Sequence, residues 1–194
     1  MTLLILGLLV FLGVHSVRIF AADWRARQIV NLGAGPWKGL YTLASLVGFA
    51  MIVWGYGMAR AQPVEIWSPP VWTRPVAGLL TIVAFILITA AYVPRNAIKS
   101  KLHHPMILGV KVWALAHLLA NGTLAGGLLF GAFLAWAVLD FRAARLRDRS
   151  AGTIYAAGTV GGTVVAIAAS LVVWAVFAYW LHPRWIGVSP FGAQ

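Results

Sequence analysis

The chain has 194 residues, of which 61% are hydrophobic and only 10% charged, with a formal net charge of +11. A soluble domain averages about 25% charged residues, and four acids with fifteen bases cannot cover the surface of one. The composition excludes an ordinary soluble fold and a disordered chain, and points to an all-α, polytopic transmembrane helical bundle forming one integral membrane domain over residues 1–194.

A membrane crossing needs roughly 20 apolar residues, and about six such spans can be placed. Thr2 to Ala22 is the first. No Lys or Arg precedes it, whereas Arg18, Arg25 and Arg27 lie at and after its end. A secretory signal has the opposite polarity, so the segment reads as an uncleaved span with its N-terminus outside. Leu40 to Ala59 is the second span, led in by Gly35-Pro36-Trp37-Lys38. Residues 60–74 read as a loop, because Pro63, Pro69 and Pro70 cannot sustain a helix. Pro75 to Val93 is the third span and Pro94 to His103 a basic connection. His104 to Ala120 is a shorter fourth span, closed by the turn pair Asn121-Gly122. Thr123 to Asp140 is the fifth span, and residues 141–150 form a second basic loop. The sixth span lies between about Ile154 and Leu181.

The loop charges test this division. Loops 1–2, 3–4 and 5–6 share one side and hold ten bases, while Arg60, Arg74 and Arg184 lie on the other. Bases concentrate in cytoplasmic loops, so both termini are expected outside, periplasmic in a bacterial inner membrane. The same rule removes nucleic acid as a partner, since the basic charge marks a membrane face. Trp24, Trp37, Trp67, Trp72 and Trp185 sit near span ends, where indoles suit the headgroup zone. The clusters Gly126-Gly127, Gly131 and Gly158 to Gly162 allow close helix packing.

Ionisable groups inside spans are costly and therefore candidates for function. Here they are His15, Arg18, His104, Lys111 and His117. Arg18 lies one turn beyond His15 on the same face and can snorkel to the inner interface. His117 shares its helical face with Ala114, Trp113, Val110 and Met106. His104 and Lys111 share a face of that helix, and Asp140 is the nearest plausible protein partner for Lys111. There is no carboxylate pair for hydrolysis, no Ser-His-Asp grouping, no P-loop and no cysteine. Two imidazoles from different helices, with apolar neighbours and nearby cations, suit a haem, whose propionates pair with Arg or Lys. At about 1.5 Å rise per residue, His104 and His117 both fall roughly 10 Å in depth from His15, so spacing alone does not choose between them.

HHPMILGVKVWALAHLLANG and the following LLFGAFLAW run resemble the NnrU family of bacterial membrane proteins. The resemblance covers about residues 10–140, including His15-Ser16, Arg18, the GLYTLASLVGFAMIVWGYG segment, EIWSPPVW and Pro94-Arg95. His103 stands where the family usually has arginine before the His-Pro pair. The resemblance implies an inner-membrane protein with a redox or accessory role in denitrification and nitrogen oxide metabolism. It also implies haem b, because the similar 15-cis-zeta-carotene isomerase is a haem b protein whose ligand histidines correspond to His15 and His117. The redox-relevant cysteine of that enzyme falls at Ala114, which puts a thiol ligand switch out of reach here. The HP-x-x-x-G stretch is also similar to part of the isoprenylcysteine methyltransferase group, but span five lacks the polar residues that group uses.

The expected site is thus haem b between His15 and His117, with Arg18 and Lys111 as propionate partners and His104 and Met106 as reserve ligands. The expected partners are the lipid bilayer and a redox partner or lipid-soluble polyene. Two competing readings are a haem-dependent cis–trans isomerase of a carotenoid or other polyene, and a non-haem scaffold whose histidines make interhelical hydrogen bonds.

Overall fold

The computed structural model describes residues 1–190, and they are helical almost throughout. Helix α1 spans Thr2–Phe20, α2 Ala22–Leu32, α3 Ala34–Ala61, α4 Thr73–Tyr92, α5 Ala97–Leu102, α6 Pro105–Ala120, α7 Leu124–Ala151, α8 Val160–Val176 and α9 His182–Ile186. A π-helical turn, Phe177–Leu181, joins α8 to α9. Five segments are long and apolar enough to cross a membrane: α1, α3, α4, α7 and the continuous stretch Val160–Ile186. The chain is therefore a multi-pass membrane protein. Helix α6, with 16 residues, is about 24 Å long, yet it runs from one end of the bundle to the other.

The structure corrects three boundaries. The segment expected to connect the first two spans contains α2, and the Gly35-Pro36 lead-in already lies inside α3. Pro36 is tolerated because backbone N–H groups in a first helical turn have no intrahelical acceptor. The expected basic loop 141–150 is helical, the last part of α7. Its Ala, Arg and Leu are good helix formers, and at 28 residues α7 is about 42 Å long, enough to carry its charged end past an apolar core about 30 Å thick. It stops at Gly152, whose φ of 59° is a left-handed cap. The last long helix begins at Val160 rather than near Ile154, because 152–159 crosses as extended chain to α5.

Contacts between helices give their directions. Gly7 faces Ile52, Gly48 faces Phe11 and Gly55 faces Leu4, so α1 and α3 are antiparallel. Gly109 of α6 sits on Ala84 and Ile88 of α4, and the Trp174 indole donates to Thr81 Oγ1 across α8 and α4. Helix α7 lies between α1 and α6, which have no backbone contact with each other among the described residues. The shared core is small and apolar, built on Leu4, Leu8, Ile52, Ala114, Leu129 and Phe130. Large side chains such as Leu9, Trp54, Leu79 and Val172 point outward, as expected where the solvent is lipid.

Each end of the bundle is sewn by backbone. At one end Ile66 N–H donates to Gly122 O and Leu124 N–H to Val64 O, pairing the proline-rich loop with the turn before α7. At the other, Thr159 N–H donates to Arg95 O. There the buried Asn96 donates to Ala90 O and Val93 O while its Oδ1 accepts from Lys99 N–H.

The close approach of α1 and α3 yields a direct expectation. A Cβ at Gly48 would stand 2.7 Å from the Phe11 backbone nitrogen, where no rotamer can give way. Gly48→Val should destabilise the bundle by about 1–3 kcal/mol, the usual cost of overpacking, read as a lowered thermal midpoint in detergent. Gly57→Val, at an open position on the same helix, should leave the midpoint close to that of the parent.

Candidate functional site

His117 stands one turn before the end of α6. Its Nδ1 lies 2.8 Å from Trp113 O. A carbonyl only accepts, so Nδ1 carries the proton and Nε2 keeps its lone pair. No hydrogen bond to that Nε2 occurs among the described residues. The ring stacks on Phe130 of α7 at 4.5 Å and borders a small cavity of about 60 Å³. Gly78, Thr81 and Phe85 of α4 form its floor, and Trp113 and His117 form the α6 wall. Trp174 and Phe177 form the opposite wall, with His182 beyond them.

His182 was not singled out from the sequence, where it lies just past the last span. Its Nδ1 is 2.7 Å from Val188 O, so this imidazole too donates through Nδ1 and leaves Nε2 as an acceptor. An α-helical phase of about 100° per residue puts it about 80° away from Trp174 around the axis. The π turn carries one extra residue, and so brings His182 to roughly the angle that Leu181 would otherwise occupy. A π turn has no residue signature, which is why hydropathy missed it.

His15 shows the same local device. Its Nδ1 is 2.6 Å from Phe11 O, four residues back, and its ring stacks on Phe11 at 4.2 Å. Beside it stands Trp136, 6.0 Å away and edge-on, whose indole N–H is buried without an acceptor among the described residues. His15 and His117 are linked through aromatic rings: Phe11 to Phe133 at 5.8 Å, Phe133 to Trp113 at 5.6 Å and Trp113 to His117 at 5.1 Å. Along α7, His15 is level with Trp136 and His117 with Phe130, an offset of about 9 Å, in keeping with the depth expected from sequence.

The remaining candidates lie at the opposite end. Lys111 Nζ sits 3.9 Å from the centre of the Phe141 ring, and Asp140 pairs with Arg147 at 3.7 Å instead. The expected Lys111–Asp140 partnership is therefore replaced by a cation–π contact, one residue further along α7. Arg18 lies at the same end of α1, where its carbonyl accepts from Arg147. Met106 is 39% exposed on the outside of α6. The Nε2–H of His104 donates to Asp148 Oδ2 at 2.7 Å, and the Tyr155 hydroxyl donates to the same oxygen at 3.0 Å. His103 stacks flat on Tyr155 at 4.1 Å and accepts a hydrogen bond from Arg145. It holds a φ of 67°, a conformation few non-glycine residues adopt. This polar clamp fixes residues 152–159 across the ends of α6 and α7.

Among the described residues no group of three or more His, Asp or Glu side chains could hold a bare metal ion. Imidazole pairs suit instead a metal that brings most of its own ligands, as a macrocycle does.

One family model matches this chain, described as NnrU protein, over residues 3–190. The match includes the stretch after residue 141, where the sequence motifs are least distinctive. No curated protein and no solved structure matches.

The Asp148 clamp generates a titration. Burial, then the hydrogen bond to Asp148 and that carboxylate's charge, push the Tyr155 phenol above the ordinary tyrosine range. A raised phenol pKa means the fold favours the protonated form. This contribution is complete below the unfolded value of about 10 and is lost as pH rises through the folded value. Tyrosinate absorbance, read as the difference from Tyr155→Phe, should rise at higher pH than for free tyrosine. Asp148→Asn should move that rise back toward the ordinary value and lower the thermal midpoint at pH 7.

Proposed function

The chain belongs to the NnrU family, and from that premise we propose that it is a haem b-binding membrane protein with a redox or accessory role in nitrogen oxide metabolism. The observation that carries the proposal is His117. Its Nδ1–H is tied to a backbone carbonyl 2.8 Å away, and its Nε2 is unpartnered beside an aromatic-walled cavity. Anchoring one ring nitrogen on a carbonyl fixes the tautomer and orientation of a ligating histidine and raises the basicity of the other.

The family resemblance pairs His117 with His15. Two features of His15 support that pairing: the same Nδ1 anchor and the acceptor-less Trp136 N–H beside it. Phe11, Phe133 and Trp113 lie along the path between the two imidazoles, and their rings must part for one macrocycle to join them. When bound, haem supplies one-electron chemistry. The chain's own residues hold the imidazole tautomers and surround the site with Trp and Phe faces that exclude water. Arg18 and Lys111 remain propionate partners for a haem lying toward the His15 level. Ala114 takes the cysteine position of the isomerase, and the missing thiol favours the redox or accessory role over cis–trans isomerisation.

Six crossings with both termini periplasmic complete the proposal, α6 being the short sixth. Supporting it are the antiparallel alternation of the six helices, which keeps all three basic connections at one end, and the positive-inside rule.

Two measurements test the reading. Protein purified in mild detergent from haem-replete cells should show a Soret band that shifts on reduction. His117→Ala should lose it or shift it, and unchanged spectra in that variant would remove His117 from the site. Reporter fusions at Gly122 and at Gly152 should fall on opposite sides of the membrane.

A further inference from the structure

We propose that the groove where α1, α2 and α3 meet holds one anionic phospholipid, with an acyl chain along its apolar walls and the phosphate on Arg25. The groove has a volume of about 210 Å³ and lies apart from the residues assigned to haem. Val14 and Val17 of α1 and Leu40 and Ala44 of α3 form its walls, with Trp24 and Trp37 beside them. No charged side chain lines it. Leu40 is 57% exposed, so the groove opens on the outside of the bundle, where lipid tails lie.

The depth of the groove fits a lipid. The facing pairs Gly7 with Ile52, Phe11 with Gly48 and Leu4 with Gly55 put the end of α1, at Phe20, level with Gly39 of α3. Helix α1 has 19 residues and is about 28 Å long, close to the thickness of an apolar core. Val14, Val17, Leu40 and Ala44 therefore lie within the last turns of that core, at acyl-chain depth. Trp37 lies just beyond the end of α1, and Trp24 meets it edge-on at 5.7 Å. That is the boundary depth indoles favour.

Helix α2 is suited to the membrane surface. One non-helical residue at each end, Ala21 and Gly33, sets it off from its neighbours, and it has no buried residue. Ala22, Ala26 and Val30 form an exposed apolar stripe at four-residue spacing, with Val30 82% exposed. Asp23, Arg27 and Asn31 form a polar stripe beside it. An amphipathic helix of this kind embeds its apolar face at the boundary between headgroups and acyl chains. Residues 22–38 hold Arg25, Arg27 and Lys38 against the single acid Asp23, and none of these makes an ion pair among the described residues. Arg25 is the cation tied to the groove. It is half-buried, follows Trp24, and is close enough to Tyr41, a lining residue, for its charge to act on the phenol. An apolar slot with a cation at its headgroup end matches the chain and phosphate of an anionic phospholipid, and basic residues at a membrane surface attract such lipids. A phosphatidylcholine headgroup brings its own cation to the same place, where Arg25 repels it.

Native mass spectrometry of the full-length protein, released from mild detergent after incubation with equimolar dioleoyl phosphatidylglycerol and dioleoyl phosphatidylcholine, tests the assignment. Wild type should retain one phosphatidylglycerol in preference to phosphatidylcholine. Arg25→Gln should lower that preference about five-fold, the weight of one basic residue at an anionic surface, and Arg25→Lys should keep most of it. Arg27→Gln removes the same charge from the opposite face of α2 and should leave the preference unchanged. Ala44→Phe, which fills the groove, should lose the retained lipid. Excess glycerol 3-phosphate, which carries the phosphate without chains, should not displace it. Equal losses in Arg25→Gln and Arg27→Gln would reduce the site to diffuse surface charge and overturn the proposal. Phosphatidylcholine retained as well as phosphatidylglycerol, lipid kept in Ala44→Phe, or displacement by glycerol 3-phosphate would each overturn it too.

Discussion

In lipid no water is available to bond a bare N–H or C=O, so every polar group must be satisfied by the protein itself. The backbone obeys this constraint, while the buried Trp136 N–H is an exception among the described side chains. Backbone is helical through the apolar length of every long segment. Irregular chain is confined to the two ends, where it is sewn into short bridges between residues 64–67 and 122–124 and between residues 95–97 and 158–163. The imidazoles follow the same rule. Each of His15, His117 and His182 satisfies Nδ1 on a backbone carbonyl. What remains is one directed lone pair per histidine, and that residue of unsatisfied chemistry is where function is to be sought.

The two ends of the bundle are built differently. One carries the His104–Asp148–Tyr155 clamp, in which an imidazole and a phenol both bond one carboxylate oxygen. The other carries the cavity, where His117, Arg60 and Arg184 have no acidic partner among the described residues. A carboxylate clamp immobilises the chain ends that it joins, and the cavity end has no counterpart to it among the described residues. With only four acids in the chain, placing Asp148 and Asp140 at the far end leaves the cavity end little that could neutralise an arginine internally.

Much of this was legible in the sequence. Hydropathy located the long helices, and the prolines of residues 60–74 marked the one long irregular connection. Motifs around His15 and His117 pointed to the family, which the match over residues 3–190 bears out. The misreadings share a cause. Residues 22–32 and 141–151 are polar enough to look like loops, but Arg, Ala and Leu are intrinsically good helix formers, and hydropathy does not register helices that lie beyond the apolar core. Close packing was sought at Gly158 to Gly162 and Gly126. Gly158 and Gly162 do meet the chain at residues 94–97, and Gly126 meets Asn121. The tightest helix–helix seam instead runs through Gly7, Gly48 and Gly55, spaced too widely to stand out. His182 escaped notice because its orientation depends on a π turn, a feature of backbone phase rather than of residue type.

The position of that π turn has a consequence for assembly. The α1–α3–α7 core is complete before α8 is translated, and the α4 floor and α6 wall are also already in place. The wall that closes the cavity is therefore the last major piece to be added. A chain halted before Phe177 would contain the whole α1–α7 bundle and still lack the Phe177, Ala178 and His182 side of this cavity. Closure of this cavity therefore comes after the helices that form its floor and its α6 wall.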